Sequence, residues 1–297
     1  MLAYQGGAPF GCGRSAANSV ARRAGPSAGS ASVKSGLRAV AQETVEITGR
    51  GSYAVGGREV EIGGAVAAAV AGTVLHLPDE PLTEGVPAGA ALVEVTGEST
   101  LEAARRLGDE VACLVFASAR NPGGGFLNGA QAQEEAIARS SALHACLESV
   151  PAFYDHHRAH PELVYSDRVI HSPGVPVFRA DDGGLLARPH RASFLTAAAP
   201  NRGAVLANQP ERVADVRPAL FRRAERVLRV AAHHGHRRLV LGAWGCGVFR
   251  NEPGEVAEAF AAALAAVPAF EHVVFAILDR RRDSPTRAAF TARFGES

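Results

Sequence analysis

Lysine is almost missing from this chain: Lys34 is the only one in 297 residues, and nearly all positive charge is arginine. With alanine so abundant, that bias reflects GC-rich coding rather than chemistry. Cysteine is scarce as well, at Cys12, Cys113, Cys146 and Cys246. None stands in a CxxC pair, and no His/Cys cluster has zinc-ligand spacing. This argues against a disulfide framework and makes a reducing cytosol the expected compartment. No apolar run is long and unbroken enough to span a bilayer; "VLGAWGCGVF" and "FAAALAAVPAF" come nearest, so no membrane partner is expected. An excess of charge of one sign is also lacking. The formal net charge is +1, which directs the chain neither to nucleic acid nor to an acidic membrane. Finally, the first 42 residues contain no Asp or Glu and are rich in Ala, Gly, Ser and Arg. Such a segment cannot bury a core, so residues 1–34 are read as a disordered tail. It also mimics a transit peptide, or stands upstream of a later start such as Val33.

What remains is ample. At 47% hydrophobic composition the chain can build one large core. "SGLRAVAQETVEIT" has helical apolar spacing, and "GSYAVGGREVEI" reads as a hairpin with a glycine turn. "ALVEVTG" alternates as a strand, and "TLEAARRLG" is a short helix stopped by Gly108. "ACLVFAS" is a strand buried on both faces. "QAQEEAIARSSALHACLESV" is expected to form one long amphipathic helix, and "LVYSDRVIHSPGVPVFR" two short strands. "SFLTAAAPN", "RRLVL" and "HVVFAILD" are further buried strands, separated by helical segments. Histidines in "DHHRAH" and "HHGHRR" fall near helix ends and are assigned to solvated or capping positions. Buried strands alternating with helices give a three-layer α/β fold with a mixed sheet, spanning 35–297 as one domain with an N-terminal helical and hairpin elaboration.

Two glycine-rich loops follow buried strands. "NPGGGFLNG" follows "ACLVFAS", and "GAWGCGVFRN" follows "RRLVL". Open α/β sheets bind ligands at the carboxyl ends of their strands. Glycines there let consecutive N–H groups approach a ligand, and the first loop leads into a helix N-terminus that favours anions. Neither loop is a Walker or a GxGxxG turn; tight turns alone are the plainer alternative. Glu134 and Glu135 are consecutive at the start of that helix, so they do not share a face. They cannot flank one sugar as a conventional glycosidase pair. One can reach a reacting atom while the other anchors hydroxyls, or both merely favour a helix start. Cys246 is a further candidate, as a nucleophile activated by turn amides, against a plain packing role.

The combination of three glycines, a short spacer and Gln-Glu-Glu in "NPGGGFLNGAQAQEEAIARSSAL" resembles the signature loop of the bacterial-type poly(ADP-ribose) glycohydrolases. The resemblance extends through "ETVEIT", "TLEAARRL", "VYSDRVIHSPGVPVFR", "TAAAPN" and "VLGAWGCGVFRNEP", over residues 36–297. It implies a macrodomain fold with an N-terminal extension, hydrolysis of ribose–ribose O-glycosidic bonds, and a place in the cytoplasm and the DNA damage response. It implies Glu135 as the catalytic acid and base, with Glu134 holding substrate hydroxyls. It further implies Asn121 on the distal ribose, Gln133 beside the glutamates, Gly123, Gly124 and Gly125 under the diphosphate, and Gly245, Cys246, Gly247 and Val248 above it. Phe249 would pack on ribose or adenine. The ligand would be ADP-ribose or its polymer, with ADP-ribosylated protein as a further partner and no metal or other cofactor. Hydrolysis of mono-ADP-ribosyl links on protein or nucleic acid, and ADP-ribose binding without hydrolysis, remain the alternatives.

Overall fold

The computed structural model describes residues 28–279, 281 and 283–295. The tail reading for 1–27 lies outside the described residues. The chain enters in helix α1 (Ala28–Arg50), which begins ahead of the expected Ser35 boundary, and continues into the hairpin β1 (Ser52–Val55) and β2 (Arg58–Glu61). Gly56 and Gly57, both at positive φ, make the hairpin turn, a conformation that disfavours side chains with a Cβ. Then follow α2 (Gly63–Ala71), β3 (Val74–His76), β4 (Leu92–Thr96), α3 (Thr100–Leu107) and β5 (Val111–Phe116). Helix α3 is closed at its start by a capping box between Ser99 and Glu102 and at its end by Gly108, at φ +81°.

The expected long helix is broken into α4 (Gln133–Ser140) and α5 (Leu143–Glu148). Ser141 between them is extended, bridges to Val177, and returns its hydroxyl to the Ile137 carbonyl at 2.7 Å. That side-chain bond competes with the helical ladder, which is why the periodicity alone did not reveal the break. After α6 (Pro151–Ala159), the two expected short strands are one long strand, β6 (Val169–Arg179), irregular between Ser172 and Val175. It pairs antiparallel with β7 (Leu185–Ala197). The remainder is α7 (Arg202–Asn208), α8 (Val213–His233), β8 (Arg238–Leu241), α9 (Pro253–Ala266), β9 (His272–Ala276) and α10 (Pro285–Phe294).

Seven strands form one sheet in the order β3-β6-β7-β5-β8-β9-β4, parallel from β7 to β4 and antiparallel at the β6 and β3 edge. Strand β5 shows how the layers arise. Val111, Cys113 and Val115 face a core with α3, α4, α5 and α6, while Ala112 and Leu114 face a second core with α8 and α9. This period-two division is what buries a strand on both faces. It also aligns the carboxyl ends of β5, β7, β8 and β9, where the loops of interest emerge.

The histidines depart from expectation. His157 is 2% exposed; its Nδ1 donates to the Phe153 carbonyl and its Nε2 accepts from Ser166. His76 and His171 are buried beside His234 and His236, with Nε2 pairs at 2.8 and 2.9 Å. Edge strand β3 and its neighbour β6 bring them against the end of α8, a convergence from distant segments that local spacing cannot reveal. Among the described residues no group of three or more such side chains is arranged to hold a metal ion.

Candidate active site

A cavity of about 720 Å³ opens at the carboxyl ends of β5, β8 and β9. Glu134 and Glu135, in the first turn of α4, form part of its wall, and the segment from Gly245 to Phe249 stands opposite. Asn121 is exposed at the rim. Helix α4 has no side-chain cap, and its first residues line the same cavity.

Both glutamates are tied down by backbone. Glu134 Oε2 accepts from the N–H of Ser118 at 2.6 Å and a second carboxylate bond comes from Gly123 N–H; Glu135 Oε1 accepts from Gly125 N–H at 3.0 Å. Their remaining oxygens, Glu134 Oε1 and Glu135 Oε2, are buried without a protein partner. The two side chains are 3% and 9% exposed. Burial, reinforced by the charge of Glu135, pushes the Glu134 carboxyl well above the usual range, against the two amide bonds that favour its anion. Beneath the pair lies Tyr154, a fully buried tyrosine whose hydroxyl has no partner and whose ionisation burial suppresses.

The glycine triplet, expected to cradle a diphosphate, stands against the two glutamates. None of Gly123, Gly124 and Gly125 lines the cavity. Gly123 N–H serves Glu134, Gly124 N–H donates to the Asn121 carbonyl at 3.0 Å, and Gly125 N–H serves Glu135. All three amides are committed inside the chain. Gly123 and Gly124 are at φ +67° and +61°, and a Cβ on Gly124 would press into both carboxylates. The triplet thus packs directly against the two carboxylates.

Gln133 is also turned inward. Its Oε1 accepts from Phe116 N–H at 2.9 Å, and its Nε2 donates to the Leu114 carbonyl at 2.7 Å and Thr100 Oγ1 at 3.1 Å. It locks the start of α4 to the end of β5 and α3. In the second loop, the N–H groups of Gly247, Val248 and Phe249 have no partner among the described residues, and Val248 is 84% exposed. The Cys246 thiol is pushed up to about 12 by burial and by Glu252, which disfavours its thiolate.

Two residues escaped sequence reading. Tyr165 and Arg250 adopt φ +61° and +57°, uncommon for side chains of their kind. Tyr165 lines the cavity with its ring 6.1 Å from that of Phe249. Such strain gathers at functional sites, but its positions are invisible in sequence.

Sheet, helices and paired carboxylates define a macrodomain-type α/β protein with a glycosidase-like centre at its ligand-binding edge. Comparison narrows this further. Residues 41–180 match the family model for the catalytic domain of microbial-type PARG, the poly(ADP-ribose) glycohydrolases. The poly(ADP-ribose) glycohydrolase of Thermomonospora curvata is 51% identical, with a TM-score of 0.82 over 88% of this chain and 100% of its own. Its form bound to the inhibitor ADP-HPD gives 50% identity and a TM-score of 0.80, over 88% of this chain and 100% of its own. The Deinococcus radiodurans enzyme in complex with ADP-ribose is 46% identical, with a TM-score of 0.74 over 79% of this chain and 98% of its own. No curated protein matches the sequence. This chain belongs to the microbial-type poly(ADP-ribose) glycohydrolase family.

Proposed function

We infer that the chain hydrolyses the ribose–ribose O-glycosidic bonds of poly(ADP-ribose) and releases ADP-ribose. The observation that carries this is the convergence of two buried carboxylates on Gly124, beside a cavity of the size that takes a nucleoside diphosphate sugar. Family membership supplies the substrate class. No helix among the described residues is long and apolar enough to cross a membrane.

Glu135 is the catalytic residue in this reading. Gly125 N–H fixes Oε1, which leaves Oε2 for the substrate. Oε2 delivers a proton to the leaving ribose oxygen as the C–O bond breaks. It then takes a proton from the water that attacks the oxocarbenium-like ribosyl centre. Glu134 holds ribose hydroxyls through Oε1. Burial favours the protonated form of the Glu134 carboxyl, and a bound hydroxyl between the two carboxylates passes that proton to Glu135.

The diphosphate is assigned to the unpartnered N–H groups of Gly247, Val248 and Phe249 and to the uncapped end of α4. Phe249 and Tyr165 flank the sugar, and Asn121 contacts the distal ribose. Gln133 acts through α4 rather than on the ligand. A binding module without hydrolysis gains nothing from two desolvated carboxylates beside an anionic ligand, so that alternative is set aside. We also assign the residues from Ala28 onward to one domain. The free cysteines, Cys113, Cys146 and Cys246, support a cytoplasmic location, where polymer turnover would serve the DNA damage response.

The test offers purified protein poly(ADP-ribose), a mono-ADP-ribosylated peptide and ADP-ribosylated DNA. Free ADP-ribose is expected from the polymer. Release only from peptide or DNA, or from none of the three, overturns the assignment.

A further inference from the structure

We propose that Arg139 is a positioning residue for the catalytic carboxylate, holding the loop that holds Glu135 and supplying the positive charge that balances the buried pair. This rests on Glu135 acting as assigned above.

Arg139 is only 7% exposed. A buried guanidinium is costly unless a negative group compensates it. The other deeply buried arginines follow that rule, since Arg179 pairs with Glu43 and Arg223 with Asp167, each at 2.9 Å. Arg139 has no such ion pair among the described residues. The one charged side chain that acts on it is Glu135, one helical turn earlier on the same face of α4.

A closed circuit of hydrogen bonds joins the two. Arg139 Nη1 donates to the Ala130 carbonyl at 2.6 Å, and Ala130 N–H donates to the Gly125 carbonyl at 3.1 Å. Gly125 N–H then donates to Glu135 Oε1 at 3.0 Å. Helix α4 completes the ring. The bonds fix the positions of Ala130 and Gly125, so the guanidinium holds in place the loop whose amide grips the carboxylate. The circuit is closed from outside by α1. Thr44 Oγ1 donates to the Arg139 carbonyl at 2.6 Å, and Arg38 donates to the Asn128 carbonyl at 3.2 Å.

The groups facing the pair can be named. Glu134, Glu135 and Arg139 come from α4 and Tyr154 from α6. His144 of α5 stands against Gly123 and Phe126, with Glu148 as its partner at 3.4 Å. Tyr154 is neutral, with Arg158 of α6 acting on it, and His144 is held neutral by burial, so Arg139 is the cation that acts on Glu135.

Removing that charge disfavours every ionised form of the glutamate pair. Both limbs of the pH profile of kcat should therefore move to higher pH, by roughly one unit or more at ordinary protein dielectric. Arg139→Met keeps the length and apolar stem and removes the charge; Arg139→Lys keeps the charge and loses the planar fork. Melting temperature and titration of ADP-ribose show which variants fold. For Arg139→Met we expect kcat to fall at least about tenfold with ADP-ribose affinity within about threefold, because the loss lies in the chemical step. Its pH limbs should shift upward, and those of Arg139→Lys should stay at wild-type values. Unshifted limbs in Arg139→Met overturn the inference. If that variant does not fold, Arg139→Lys decides alone: wild-type limbs with reduced kcat support the proposal, and shifted limbs or wild-type kcat overturn it. Glu135→Gln is measured in parallel. If it is inactive while Arg139 variants show no effect, only this inference fails; if it is active, the reading of Glu135 fails and this inference with it.

Discussion

A Cβ placed on Gly124 would lie 2.5 Å from Oε1 of Glu135. The same position is 2.9 Å from Oε2 of Glu134, and Gly124 is itself at φ +61°. Glycine and glutamates thus occur together because the carboxylates occupy the space a side chain would take.

Gly124→Ala should therefore damage chemistry more than binding. The added methyl must push the carboxylates aside, and a displacement of about 1 Å at a reacting group can cost on the order of a hundredfold in rate. Steady-state kinetics and calorimetric titration of ADP-ribose on the folded variant separate the two effects. A loss of affinity with kcat preserved would return the triplet to a ligand-cradling role.

Glu135→Gln keeps the shape and removes the transferable proton. The variant should lose roughly 10²–10⁴ in kcat, the usual worth of a general acid–base. Affinity for ADP-ribose should stay within several-fold. Glu134→Gln should lose activity too, with weaker binding as its mark. Substantial turnover by Glu135→Gln would end the mechanism.

Cys246 lines the cavity, yet its thiol is pushed up to about 12. Brief treatment with iodoacetamide at neutral pH should leave activity unchanged, and Cys246→Ala should retain most of it. Rapid stoichiometric inactivation that Cys246→Ala abolishes would revive the nucleophile.

The histidine cluster should make the fold acid-labile. Burial lowers His171 to about 2 and His234 to about 4, with their histidine neighbours acting in the same direction, and His76 and His236 are also lowered. His157, outside the cluster, is lowered to about 4, again by burial. The groups facing the cluster are His233, Glu80, Arg226 and Glu110; Glu80 opposes the shift at His76 and His234, and Glu110 opposes it at His236. In each case the folded pKa lies below the unfolded value of about 6.5, so the unfolded chain binds more protons below that pH. This stability is complete above about 6.5 and is lost as pH falls towards 4, continuing towards 2 for His171. Each kcal/mol lost lowers Tm by roughly 2–4 °C in a domain near this size. Scanning calorimetry at pH 8, 6.5 and 5 should show little change across the first interval and a clear fall across the second. A flat Tm down to pH 5 would contradict the buried neutral cluster.

Some of this was written in the sequence. Strand β5 is apolar at every position because both of its faces are covered, and that run is legible without neighbours. The capping of α3 by Ser99 and its stop at Gly108 are local, as is the turn at Gly56 and Gly57. The order glycine triplet, spacer, Gln-Glu-Glu was enough to single out the acid pair, because adjacent buried carboxylates need a purpose. Tertiary structure decided the rest. The direction of three glycine amides depends on backbone dihedrals and on where α4 docks, so sequence could not show that the triplet stands against the carboxylates. The burial of Arg139 is set by α1, whose Thr44 lies far away along the chain. The strained backbone of Tyr165 and the meeting of His76, His171, His234 and His236 likewise arise from segments joined only by the sheet edge. Local pattern determines elements; the charges and amides of a site take their meaning from which distant segments close over them.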